Sequence, residues 1–150
     1  MIIPKSKISK VSKFSPNYKE TYRRGSWSLA KDLPSSFKYA LKGLVYAFFS
    51  QRNFRIHIFI GLVVIVLSIW LQLSSSNCAI LFLTISIVLV LELINTSIEA
   101  VVDLAIGRRF HPLARIAKDC AAASVLVGAL SSVFIAFLIL LPPIFKKLGL

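Results

Sequence analysis

Glu92, Asn95, Glu99 and Asp103 stand in a run of otherwise apolar residues, Leu91 to Ile106. At 100° per residue a helix carries all four within a stripe about 80° wide. Acids inside a membrane-like segment are expensive, so each is a functional-site candidate, serving an ion or a substrate. Glu92 and Glu99 lie two turns, or ~10.5 Å, apart along the axis, too far to share one metal ion readily within a single helix. Separate roles follow. Glu92, the deeper, suits general-base work. Glu99, the wetter, can hold Mg²⁺, which prefers one or two carboxylates together with phosphate oxygens. Arg108, Arg109, Arg115 and Lys118 follow in a basic loop and would supply positive charge to a polyphosphate, and Asn95 hydrogen-bonds without adding charge. These are the parts of phosphoryl transfer: a base, a divalent ion and cations on the phosphates. No GxxxxGK[ST] loop or GxGxxG is present, so any nucleotide site is an unusual one. The same acids would also suit a proton or cation pathway, or a structural polar network between helices.

Composition says what must position these residues. Of 150 residues, 57% are hydrophobic, more than a water-soluble domain of this length needs. The net charge of +12 fits basic flanks of membrane spans better than nucleic acid, because no recognised binding module is visible. Residues 1–33 form a basic tail without periodicity, expected to be flexible or held at a negative surface. Deletion of that tail would abolish function only if the chain were a scaffold. Cys78 and Cys120 are isolated, and buried thiols are the expectation for both. No signal peptide is expected.

Pro34 can open a helix, and Phe37, Leu41, Leu44 and Phe48 then recur at helical spacing with Lys38 and Lys42 between them. That predicts an amphipathic surface helix over about 34–54. Spans are expected at about 56–73, 78–106 and 120–141, with Gly107 as an αL cap and Pro142-Pro143 as the stop. Cys120, Ser124, Gly128, Ser132 and Ala136 make a small-residue stripe for close helix approach. Three spans enclose little interior, so self-association is expected. Twelve Lys/Arg precede Ile56, four lie in the 107–119 loop and two follow the last span. This asymmetry predicts a cytoplasmic N-terminus and an outside C-terminus in the plasma membrane. The fold class expected is an all-α integral membrane protein.

The run Glu92-Leu-Ile-Asn95-Thr96-Ser97-Ile98-Glu99-Ala-Val-Val102-Asp103 resembles the E-x-[LIVM]-N-[ST]-[SA]-[LIV]-E-x-x-V-D signature of the prokaryotic diacylglycerol kinase family, which also contains undecaprenol kinases. The likeness extends from about Ser36 to Leu141, with Lys42-Gly43, Asn53-Phe54-Arg55 and Ala117-Lys118-Asp119, and leaves the tail uncovered. It implies a lipid kinase that uses ATP and Mg²⁺, assembled as a homotrimer with composite sites between protomers. By motif position Glu92 would be the catalytic base and Glu99 a metal ligand, with Asn95 and Asp103 completing the polar site. Tyr39, Gln51, Glu99, Arg109, Phe110, His111, Lys118 and Asp119 would contact ATP. Diacylglycerol is the first substrate implied and undecaprenol the alternative. One departure stands out: the family usually has a second metal-binding Glu where this chain has Gln51. His57 is read as an interfacial residue.

Overall fold

The computed structural model describes residues 33–107 and 109–149, so the basic tail up to residue 32 and Arg108 lie outside the described residues. Four helices follow one another: α1 Leu33–Ser50, α2 Arg52–Trp70, α3 Ser75–Ile106 and α4 Pro112–Leu148. No strand occurs among the described residues. The last three helices are each long and apolar enough to cross a membrane. The chain divides between Gly43 and Leu44 into two compact units.

In the first unit the described residues are the opening turns of α1, whose Leu33, Phe37, Tyr39 and Leu41 are exposed. In the second, α1 ends at Ser50 rather than near residue 54, because Gln51 is extended (φ −107°, ψ 117°) and α2 starts at the next residue. The Gln51 N–H still donates to the Ala47 carbonyl at 2.9 Å, so the corner is one residue long. Arg55 steadies it: its guanidinium donates to the Phe48 carbonyl at 3.0 Å and the Phe49 carbonyl at 3.3 Å, acceptors that the end of α1 leaves free.

Between α2 and α3 the chain turns back through only Leu71 to Ser74. The N–H groups of Leu71, Gln72 and Leu73 return to the carbonyls of Leu67, Ile69 and Ser68. Ser74 caps α3 by accepting the Asn77 N–H at 3.4 Å, so α3 begins three residues before the expected Cys78. Thirty-two residues make α3 about 48 Å long, well beyond a ~30 Å hydrocarbon core. Gly107 ends it with positive φ (63°) but a ψ of −122°, outside the αL region, while its N–H continues the ladder to the Asp103 carbonyl.

α4 does not stop at Pro142-Pro143 but runs on to Leu148. Proline's fixed φ is helical, so its cost lies in a lost donor and a crowded turn. Packing on both sides of the pair offsets that cost. Leu140 belongs to a core with Leu71 and Leu81, and Ile144 packs on the same cluster. Beyond it, the Lys147 ammonium donates to the Trp70 carbonyl and lies 4.1 Å from the Trp70 ring centroid.

Small residues set the helix spacing, as they must where lipid removes the hydrophobic drive for association. Gly61 of α2 faces Ile85, and a Cβ there would come within 2.9 Å of Cγ2. Gly128, a member of the expected stripe, faces Leu91, whose flexible Cδ1 would lie 2.5 Å from an added Cβ. Cys78 on α3 is half-buried, and Cys120 is exposed because the covered face of α4 runs through Ala121 and Val125 instead. The two glycines therefore differ. Gly61→Ala drives a methyl into a stiff β-branched neighbour and is expected to cost about 1–2 kcal/mol. Gly128→Ala meets a movable one and is expected to be neutral or to gain up to about 1 kcal/mol of helix propensity. Thermal unfolding of the two variants in detergent distinguishes them, and restored stability in Gly61→Ala/Ile85→Ala locates the clash.

Candidate active site

Serine and threonine hydroxyls do not build this site. Those of Ser68, Ser86, Thr96, Ser97 and Ser131 donate to carbonyls four residues back in their own helices, and Thr84 and Ser124 three back. The polar groups left to face neighbouring helices are the larger ones, and they gather along α3.

Glu92 is the most deeply placed of these, with 3% of its surface exposed. Its Oε1 lies 3.5 Å from the Nε2 of His57 on α2. His57, an interfacial residue on the sequence alone, here brings its Nε2 to 3.5 Å from the carboxylate of the candidate base. A signal was available. In a tight antiparallel hairpin, residues equally far from the turn share a level, as Gly61 and Ile85 do. His57 lies one turn beyond Gly61, and Glu92 two turns beyond Ile85 with a long side chain leaning back toward its helix N-terminus.

Two turns further on, Glu99 is gripped by two amides. The Asn95 Nδ2 donates to its Oε1 at 3.2 Å, and the Gln51 Nε2, from the corner between α1 and α2, donates to its Oε2 at 3.4 Å. Asn95 Oδ1 is left buried without a partner. Oxygen and nitrogen of an amide exchange places by a half rotation. Rotating both amides would turn an oxygen of each toward the Glu99 carboxylate. That set fits a hard divalent cation that takes its remaining ligands from phosphate and water. Among the described residues no group of three His, Cys, Asp or Glu could hold a metal alone.

Beyond Glu99 the end of α3, the following loop and the start of α4 line an open hollow of about 400 Å³. Asp103, Arg109, Phe110, His111, Lys118 and Asp119 all line it, together with Arg115. The structure thus brings together five of the residues expected to contact ATP. Lys118 donates to Asp103 at 2.6 Å, and Arg115 lies 3.6 Å from Asp119, both pairs substantially exposed. Such pairs hold cations in place at little net gain, so an incoming polyanion can exchange for the carboxylate. Tyr39 lies in the unit that ends at Gly43, where its ring is 45% exposed and the Lys42 ammonium is 5.4 Å from its centroid.

The amide cradle makes a prediction. Gln51→Glu sets a second carboxylate where an amide now donates to Glu99, a repulsion of roughly 1–4 kcal/mol. The variant is expected to unfold at lower temperature than the parent in EDTA and to recover when divalent cation and a nucleoside triphosphate are added. Equal melting in both conditions would show that Gln51 and Glu99 do not share a cation.

Residues 38–140 match the family model described as prokaryotic diacylglycerol kinase. The chain is 44% identical over 144 residues to a diacylglycerol kinase of Synechocystis, covering 96% of this chain and 78% of that one. An alignment of that length reaches well into the basic tail, which the motif likeness left out. It is 41% identical over 107 residues to an undecaprenol kinase of Bacillus subtilis (71% of this chain, 86% of that one). With a diacylglycerol kinase of Escherichia coli K12 it shares 35% identity over 95 residues, covering 63% of this chain and 77% of that one. The family match spans the acidic stripe of α3 and the hollow, and with these relatives it makes the protein a membrane lipid kinase: the chain belongs to the prokaryotic diacylglycerol kinase family.

Proposed function

We propose that the protein transfers the γ-phosphoryl group of ATP, with Mg²⁺, to the hydroxyl of a membrane lipid at the cytoplasmic face of the plasma membrane. Diacylglycerol giving phosphatidic acid is the reaction put first, on the strength of the 44% identical relative. Undecaprenol is the second reading, favoured by the relative of that name at 41% identity. The observation that carries the proposal is the order of groups along one helix. A buried Glu92, an amide-held Glu99 and a basic hollow follow one another on α3. A lipid is met at the apolar end of that series and a nucleotide at the polar end.

In this scheme Glu92 accepts the proton of the lipid hydroxyl. The hydroxyl oxygen bonds to the γ-phosphorus while the bond to the β–γ bridging oxygen breaks, and ADP leaves. Lys118 and Arg109 hold phosphate oxygens, with Asp103 releasing Lys118 to do so; Phe110, His111 and Asp119 complete the nucleotide's surroundings. Glu99 and Gln51, supported by Asn95, hold the cation. Bound Mg²⁺ supplies neutralisation of charge on the β- and γ-phosphates. The excess of Lys and Arg before Arg52 and around the hollow supports a cytoplasmic N-terminus and an outside C-terminus. Assembly as a homotrimer is part of the proposal, supported by the large apolar surface that one copy exposes, such as Phe59, Phe82, Val127 and Phe134.

Phosphate transfer from labelled ATP in mixed micelles, with diacylglycerol or undecaprenol offered separately, tests the reading and chooses the lipid. Glu92→Gln is expected to lower kcat by about 100-fold or more, the worth of a positioned base. Lys118→Met is expected to raise the KM for ATP by roughly 10-fold, from loss of a charge-assisted hydrogen bond. Full activity without divalent cation, or in Glu92→Gln, would overturn it.

A further inference from the structure

The pairing of His57 with Glu92 is not used by the scheme above, and it is specific. Among the described residues the imidazole has one polar partner, the Glu92 carboxylate, and that carboxylate has no other side-chain partner within hydrogen-bonding reach. Both groups are inside the helix packing, the carboxylate 3% and the imidazole 22% exposed. A carboxylate so placed costs several kcal/mol unless something donates to it. The cations of the hollow cannot do so, since Asp103, which holds Lys118, lies eleven residues and ~16 Å further along α3. Glu99, the other charged neighbour, is itself an anion and is engaged by Asn95 and Gln51. The α4 residues that share the cavity with His57, namely Ala129, Ser132, Val133 and Ala136, carry no ionisable group.

His57 also forms part of the wall of a small cavity, about 100 Å³, between α2, α3 and α4, whose other residues include Gly61, Val64, Ile85 and Val88. It therefore reaches Glu92 from the apolar side, opposite in character to the hollow. Gly61, one turn along α2, fixes how close the two helices come, so the distance from imidazole to carboxylate is set by backbone packing rather than by a loop.

Resting on the assignment of Glu92 as base, we infer that His57 is a positioning residue for it: the Nε2–H engages Oε1 from α2 and leaves Oε2 free to meet the lipid hydroxyl. The 3.5 Å separation shortens to a charge-assisted hydrogen bond by a small rotation of either side chain. The contact also survives the chemistry. When Oε2 takes the proton, Oε1 remains an acceptor for the same N–H, so the carboxyl group does not swing away before the phosphoryl group has moved.

The test compares kcat and KM in the mixed-micelle assay for the parent, His57→Leu, His57→Gln, His57→Asn, Glu92→Gln and the double variant His57→Leu/Glu92→Gln, each with its melting temperature. His57→Leu is expected to lower kcat by about 10- to 100-fold, with both KM values within about 3-fold, as misplacing a reacting group does. His57→Gln keeps a donor at similar reach and is expected to recover to within about 5-fold of the parent, whereas the shorter Asn is not. In the Glu92→Gln background His57→Leu is expected to cost less than about 3-fold further, because the two residues act as a unit. Parent-like kcat in His57→Leu, equal loss in His57→Leu and His57→Gln, or a full additional loss in the double variant would overturn the inference. If His57→Leu does not fold, the contrast between Gln and Asn decides in its place. Parent-like activity in Glu92→Gln would remove the base assignment itself and the inference with it, a failure distinct from an inactive Glu92→Gln beside an unimpaired His57→Leu.

Discussion

A carboxylate held away from water must be answered by a donor or given up, and the fold is arranged around that requirement at Glu92. The answering group comes from another helix, so α2 has to lie close to α3 over this stretch. Gly61 permits the approach, the four residues Leu71 to Ser74 enforce the antiparallel pairing, and the Leu71, Leu81 and Leu140 cluster closes the far end. The hydroxyls of Ser68, Thr96 and Ser124 turn back to carbonyls of their own helices.

From Glu92 outward α3 changes character by steps. Glu92 has a single neutral or cationic partner, Glu99 is held by two amides, and Asp103 sits in an exposed ion pair. The gradient follows from distance to water. Deep in an apolar segment a single close polar contact is all that the packing supplies, and an exchangeable ion pair is not available. At the wet end, ion pairs are weak enough to be replaced by a phosphate. A single helix therefore offers an apolar molecule and a highly charged one the surroundings that each requires, in sequence.

Much of this was legible before any coordinates. The acidic stripe, the long apolar helices and the basic loop announced themselves because burial cost, helical period and charge asymmetry are local properties of the chain. Arg109, Phe110, His111, Lys118 and Asp119 meet in one hollow because they flank a short turn, which sequence proximity already suggested. What the sequence concealed was decided between helices. His57 gained its role only once α2 lay against α3, and the tip of α4 continued through two prolines only because Leu140, Ile144 and Lys147 were held from outside the helix. Cys120 was one position out of phase with the covered face, a shift of 100° that small-residue spacing alone does not resolve.

Because the candidate base and the candidate cation-holding carboxylate ride on one uninterrupted helix, their relation is set by pitch. Seven residues make almost two whole turns, so Glu92 and Glu99 fall 20° from alignment. No flexible element lies between them to absorb a change in length. Inserting or removing one residue between positions 92 and 99 would shift the axial spacing by only 1.5 Å but swing Glu99 around by 100° relative to Glu92, off the Gln51 amide that reaches it from outside the helix. Side chains along this segment are free to drift wherever they face lipid, while the count of residues is locked, so the segment behaves as a gauge of fixed length written in the backbone.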